Sequence, residues 1–332
     1  MKLRIALAVT ALLTVFLPTT AQAAPSLSIG LAYDIGGIGD RSINDAAAAG
    51  LEKAKKQFDF TVSAVVTDGS TADRDRRIRG LIAKDCDLII AIGSGYASTL
   101  QELAFEFPTR QFAILNDASV AALNVTSLIF AETQGAYLAG FSAAQISKTG
   151  KVAMIATKNQ ADIYANGFRA GVLASKKKVV PIVKYLDGSS TSAMKQVIAA
   201  RADIVYMATS GSISEVFKVI VDANTAKNRK KSAPIIKMIS TEPDQYLSVT
   251  SSTKKYLVAS VIKRVDKVMY DLISTTLKGD QFLDFIEDGA DIYGRRYGIT
   301  GGGIEFSILT SELALYRSAI NLAAATAEKI PA

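Results

Sequence analysis

The chain has 332 residues, with 38 Lys and Arg against 31 Asp and Glu, 49% apolar residues, one cysteine and no histidine. Without histidine, Ser-His-Asp triads, Cys-His pairs and histidine-ligated zinc sites cannot be built, and one cysteine cannot close an intramolecular disulfide. A chain this long exceeds what one core organises, so two domains are expected.

At the N-terminus, Lys2 and Arg4 precede an apolar run from Ile5 to Leu17, and a polar stretch ends in Ala21-Gln22-Ala23 ahead of Ala24-Pro25. That order is a secretory signal peptide's, with an apolar part of about 13 residues where a membrane span needs about 20. Export with cleavage after Ala23 is expected; retention of the segment as an anchor is the alternative. Cys86 lies too far along the chain to be lipidated, so a lipoprotein is not expected. Without Lys2 and Arg4 the net charge is about +5 and dispersed. The densest basic spots, Lys176 to Lys178 and Asn228 to Lys231, are not interleaved with aromatics, so no nucleic-acid partner is expected.

Apolar runs and helical patterns then alternate. Strands are expected at Leu27–Tyr33, Thr61–Val66, Leu88–Ile92, Gln111–Leu115 and Ser127–Phe130, with helices at Asn44–Gln57, Asp73–Lys84 and Ser98–Phe107. The rhythm repeats with helices at Tyr137–Ser147, Tyr164–Lys176, Ser192–Ala199 and Ile213–Ala223, and strands at Lys151–Ile155, Val179–Tyr185, Ile204–Met207 and Ile235–Ser240. A strand at Tyr256–Val261, a helix at Ile262–Leu277, the segment GITGGGIEF and a last helix at Ser311–Lys329 remain for crossing between lobes. Short buried strands separated by amphipathic helices give α/β architecture: two doubly wound three-layer lobes with a hinge and an interlobe cleft. The expected division is 1–23 signal peptide, 27–130 and 260–295 first lobe, and 131–259 and 296–330 second lobe.

Ligands of open parallel sheets bind beyond the carboxyl ends of the strands. The loops there are Asp34 to Asn44, Gly93 to Ser98, Asn116 to Ser119, Thr157 to Ile163, Ala208 to Ser212 and Ser240 to Asp244, all rich in Gly, Ser, Thr, Asn and Asp. In DIGGIGDRSIND, glycines permit close backbone approach, and Asp40, Ser42 and Asn44 offer hydrogen bonds at a helix start. A dinucleotide fingerprint is excluded, because its third glycine would fall on Ser42. No cofactor is expected.

The string DIGGIGDRSINDAAAAGLEKA resembles the opening signature of the basic membrane protein family, the PnrA-like solute-binding proteins, roughly DxGGxxDxSFNxxAxxG. FAILND, NVTSLIFAETQGAYLAGFSAA, GKVAMIA, NGFRAGV, PDQY, ASVIKRVDKVMYD and YGITGGGI are similar to further family segments in the family's order, over nearly the whole mature chain. The resemblance implies a type I periplasmic-binding-protein fold and uptake of a purine nucleoside, handed to an ABC permease by a non-enzymatic binding protein; a monomer is expected.

By the same resemblance, Asp117 or its neighbour Asn116 falls where the family reads the base, Glu242 on its ribose-binding aspartate and Lys263 on its lysine. Asp40 and Asn44 fit its first-loop contacts. Ser42, Ser210 and Gly211 lie in cleft loops, and Tyr96 and Phe168 are candidates for stacking on a ring. Four departures touch ligand identity: Ile43 stands for the signature phenylalanine, Gln134 for the usual glutamate, Glu242 is one methylene longer than aspartate, and Pro243 follows it. The alternatives are another small polar solute in the same fold, a ligand-sensing module, or a nucleoside hydrolase built on acidic pairs.

Overall fold

The computed structural model describes residues 27–39, 41–157, 161–209, 213–241, 249–280 and 292–330. The expected signal peptide lies outside them. The strands of the first lobe are β1 (Leu27–Tyr33), β2 (Phe60–Val66), β3 (Leu88–Ile92), β4 (Gln111–Leu115), β5 (Val125–Phe130) and β11 (Tyr293–Tyr297). They form one sheet in the order β11-β5-β4-β3-β1-β2, parallel throughout. The second sheet holds β6 (Lys151–Ala156), β7 (Val180–Tyr185), β8 (Ile204–Ala208), β9 (Lys237–Ser240), β10 (Leu257–Lys263) and β12 (Ile304–Ile308). Its order is β12-β10-β9-β8-β6-β7, with only β12 antiparallel, against β10.

Both halves share one winding, β2-β1-β3-β4-β5 and β7-β6-β8-β9-β10, with the order reversing beside β1 and beside β6. β3 and β8 are buried at every position, as LIIAI and IVYMA require of strands covered on both faces. On the first sheet, α2 (Thr71–Ala83) and α3 (Ala97–Glu106) cover one face, and α1 (Ile43–Lys55) and α8 (Val265–Leu277) the other. On the second, α6 (Ser190–Ala199) and α7 (Ser214–Thr225) cover one face; α4 (Glu132–Ile146), α5 (Ala161–Ala174) and α10 (Arg317–Ala327) cover the other. A four-residue helix, α9 (Ser311–Ala314), precedes α10, so the single C-terminal helix expected from the sequence is broken at Leu315–Tyr316.

The chain changes lobe between β5 and α4, between β10 and α8, and between β11 and β12. All of β10, through Lys263, belongs to the second sheet, and β11 runs in the first sheet to Tyr297; the expected boundaries at 260 and 295 cut through these two strands. The crossings lie side by side: Ala131 N–H donates to Tyr297 O at 2.9 Å and Arg264 N–H to Gly303 O at 2.8 Å. Gln134 Oε1 accepts from Ile299 N–H at 2.9 Å, tying the start of α4 to the last crossing.

Two helices of the second lobe touch through their backbones. A Cβ on Gly171 of α5 would lie 1.9 Å from Tyr137 O of α4, and one on Gly140 of α4 would lie 2.1 Å from Phe168 O. Only glycine fits a backbone approach this close, and α4 is correspondingly buried on almost every side. Gly171→Ala should lower unfolding stability by about 2–3 kcal/mol through overpacking. Gly80→Ala, in a stretch of α2 where an added Cβ meets nothing, should raise it by up to about 1 kcal/mol. Urea unfolding of the two variants against the parent measures both.

Two carboxyls brace the first lobe. Asp73, 3% exposed, accepts from Asp68 N–H and Thr67 Oγ1 at 3.0 Å each, while Asp266 accepts two hydrogen bonds from the Arg264 guanidinium at 2.8 Å. The Asp68 N–H chiefly holds Asp73 below the usual carboxylate range, and Arg264 does the same for Asp266. A folded pKa below the unfolded value means the stabilisation is complete above about pH 4 and is lost as pH falls through the folded value. Asp266→Asn should therefore flatten the decline in stability below about pH 4, and leave a smaller difference from the parent in acid than at neutrality. Urea midpoints across that range test the sign.

Candidate functional site

The first loop is held by its own side chains. Asn44, wholly buried, accepts from Asp34 N–H at 3.0 Å through Oδ1 and donates from Nδ2 to Asp34 O and Ile35 O, both at 3.3 Å. Asp45 Oδ1 takes Gly39 N–H at 2.5 Å and Oδ2 takes Arg41 N–H at 2.9 Å. Asn44 thus closes the turn after β1, and Ser42 stands buried at the start of α1. Gly37, at φ +59° against the Val66 side chain, supplies the left-handed step the turn needs. Asp40 lies outside the described residues.

Beneath this loop Asp34 Oδ1 receives Arg74 at 3.0 Å, and the guanidinium also donates to Gly69 O at 2.6 Å and lies 5.4 Å from the Tyr96 ring centre. Tyr96 is fully buried and its hydroxyl donates to Tyr33 O at 2.8 Å. Burial and the nearby Asp34 charge push its phenol up to about 12. Its ring is packed into the first-lobe core and has no face open to a ligand. Phe168 is likewise 0% exposed, on α5, stacked on Tyr206 at 6.1 Å. The ring sandwich expected of Tyr96 and Phe168 is therefore not formed: each is core, in a different lobe, because buried strands and a glycine-packed helix pair enclose it.

What the structure does bring together is a polar cluster between the lobes. Lys263, the last residue of β10, sends its ammonium to Asn116 Oδ1 at 3.2 Å and Glu132 Oε1 at 3.0 Å, and Tyr164 Oη donates to the same carboxylate oxygen at 2.7 Å. The ammonium also lies 5.8 Å from the Phe130 ring centre. The Lys263 and Glu132 side chains are only 8% and 10% exposed. Asn116 belongs to the first lobe, at the carboxyl end of β4; Lys263, Glu132 and Tyr164 belong to the second.

Of the two neighbours considered for reading a ligand, Asn116 is the one aimed at Lys263. Asp117 Oδ1 instead accepts from Ser119 N–H and Oγ at 2.8 and 2.5 Å, closing its own turn. Asn116 sits at φ 66°, a left-handed step that asparagine tolerates better than most residues. Glu132 and Tyr164 were not singled out from sequence. Glu132 falls two positions before Gln134, the residue aligned with the family glutamate, and nothing in the spacing showed that α4 starts early enough to point it inward.

Beside the cluster a cavity of about 290 Å³ opens, lined by Asp45, Ala46 and Ala49 of α1 and by Ile262, Lys263 and Glu305 of the second lobe, with Arg264 and Asp266 at the crossing. Arg264 bridges Asp266 at 2.8 Å and Glu305 at 2.9 Å on this wall. Ser210, Gly211 and Glu242 lie outside the described residues. Neighbouring Thr241 is buried, with its hydroxyl on Met207 O. Among the described residues there is no group of acids, cysteines or histidines able to hold a metal ion, and no helix long and apolar enough to cross a membrane.

The CD4+ T-cell-stimulating antigen of Listeria innocua is 31% identical over 280 residues, 78% of this chain and 76% of the relative. The ABC transporter nucleoside-binding protein BmpA of Lactococcus lactis subsp. cremoris is 26% identical over 313 residues, 89% and 86% of the two chains. A solute-binding protein of an ABC transporter system from Aeropyrum pernix superposes with a TM-score of 0.65 at 22% identity, over 92% of this chain and 81% of that one, a likeness of fold. The two lobes have the type I periplasmic-binding-protein fold. The family described as ABC transporter substrate-binding protein, PnrA-like, matches residues 28–329, and the chain belongs to it as a non-enzymatic, extracytoplasmic substrate-binding protein of an ABC transporter.

Proposed function

We propose that this protein captures a purine nucleoside in the interlobe cleft and presents it to the membrane permease in a closed form. The single observation that carries the reading is the Lys263 ammonium held across the lobes on Asn116, at the carboxyl ends of both parallel sheets. An amide, an ammonium and a carboxylate converging there suit hydroxyls and a hydrogen-bonding ring edge. The nucleoside-binding name of the Lactococcus relative supports the ligand class. Contacts from both lobes favour closure, since a ligand shifts the equilibrium toward the state it binds better.

Asp40, Ser42, Ser210, Gly211 and Glu242 complete the proposed contact set, with Asn116 in preference to Asp117 and without the buried Asn44, Tyr96 and Phe168. The chain is proposed to act as a monomer, exported by a signal peptide cleaved after Ala23 and not lipid-anchored. A second reading is favoured by one observation: the burial of Tyr96 and Phe168 removes both expected stacking rings, which suits a free pentose or another small polar solute.

Calorimetric titration of refolded, ligand-stripped protein with purine and pyrimidine nucleosides, free bases and ribose decides between them. Tight binding of a purine nucleoside is expected, weakened about tenfold to a hundredfold by Asn116→Ala or Lys263→Met, the worth of one hydrogen bond to a charged group. Binding of ribose alone would replace the nucleoside by the sugar, and binding of no nucleoside would overturn the ligand assignment.

A further inference from the structure

The Lys263 ammonium would by itself make the cleft a receptor for anions. A buried lysine between the lobes, with an amide beside it, suits a phosphate oxygen as readily as a hydroxyl. Glu132 changes that. Its Oε1 sits 3.0 Å from Lys263 Nζ with both side chains about nine-tenths buried, and Tyr164 fixes the same oxygen from α5 at 2.7 Å. The hydroxyl bond leaves the carboxylate little freedom to turn away when a ligand enters.

We propose that Glu132 is a specificity-determining residue of this cleft: by neutralising Lys263 it reserves the site for uncharged ligands and turns away their phosphate esters. The assignment rests on the small-molecule site proposed above, and concerns the ratio of affinities within a pair of ligands. Glu132 acts through Lys263, so it is a positioning residue whose signature is a change in charge preference. A carboxylate serving only to hold α4 in place would change the affinity for both members of a pair alike.

The test is calorimetry on the full mature chain with two pairs of ligands, a purine nucleoside with its 5′-monophosphate and ribose with ribose 5-phosphate. The unaltered protein should prefer the uncharged member of whichever pair it binds. Glu132→Gln keeps the shape and can still accept from Tyr164; it should shift the ratio toward the phosphate ester by about tenfold or more, and Glu132→Asp should restore the parent preference. A folded Glu132→Gln protein with an unchanged ratio overturns the assignment. If Glu132→Gln does not fold, Lys263→Gln reads the same balance with opposite sign, and an unmoved ratio overturns it equally. A shifted ratio seen only in the ribose pair removes the nucleoside and keeps Glu132. Binding of no member by the unaltered protein removes both.

Discussion

An ammonium held away from water is costly unless it is paired and hydrogen-bonded, and removing one partner of such a pair leaves the other charge stranded. Lys263 is 8% exposed, and the partners that make this tolerable come from three separate stretches of chain: Asn116 after β4, Glu132 at the start of α4 and Tyr164 in the first turn of α5. Each partner imposes a requirement on the scaffold. β10 must run through Lys263 so that its last residue reaches the crossing. α4 must begin directly after β5, and α5 must lie close enough to α4 for a tyrosine to reach the glutamate. The glycines that let Tyr137 O and Phe168 O meet the facing helix backbone satisfy the last requirement. Packing in the second lobe and polarity in the cleft are thus one constraint seen from two sides.

Much of this scaffold was visible in sequence, for a physical reason. Strands buried on both faces must be apolar at consecutive positions, so LIIAI and IVYMA announce themselves. β11 did not, because its residues are YGRRY: it is the edge strand of its sheet, half-buried and charged, and its pattern is that of a loop. The sequence pattern starts α4 five residues late, at Tyr137, because Thr133 and Gly135 are weak helix formers by propensity; burial of nearly the whole helix overrides that. Tyr96 and Phe168 show the converse. Aromatic residues near cleft loops look like stacking platforms, and only packing reveals that their faces are already covered. The candidate residues at 40, 210, 211 and 242 rest on resemblance and the proposed site.

The three crossings between the lobes lie side by side. Ala131 bonds to Tyr297 and Arg264 to Gly303 through their backbones, and the Gln134 side chain accepts from Ile299 N–H, so the connecting segments are laced to one another. A Cβ on Gly303 would lie 2.2 Å from the Tyr297 Cβ, which leaves no room there for any side chain. Segments bound in this way move as a bundle, and a relative motion of the lobes is absorbed by a few backbone torsions at the crossings. Lys263 immediately precedes one crossing and Glu132 immediately follows another. The polar cluster therefore lies beside the crossings.

The distribution of backbone strain separates the cleft from ordinary turns. Among the described residues five non-glycine positions have positive φ: Arg41, Asp85, Asn116, Lys176 and Arg201. Asp85, Lys176 and Arg201 follow the ends of α2, α5 and α6, where a left-handed residue is the common way to finish a helix. Arg41 and Asn116 end no helix. They lie in the loops after β1 and β4, on the cleft side of the first sheet, and one of them directs its side chain at Lys263. A conformation costing of order 1 kcal/mol persists only where its surroundings over-determine it. At Asn116 those surroundings include the backbone bond to Leu128 O at 2.7 Å and the ammonium across the lobes. The bond to Leu128 comes from within the first lobe, so the left-handed step that places the amide does not depend on the second lobe alone.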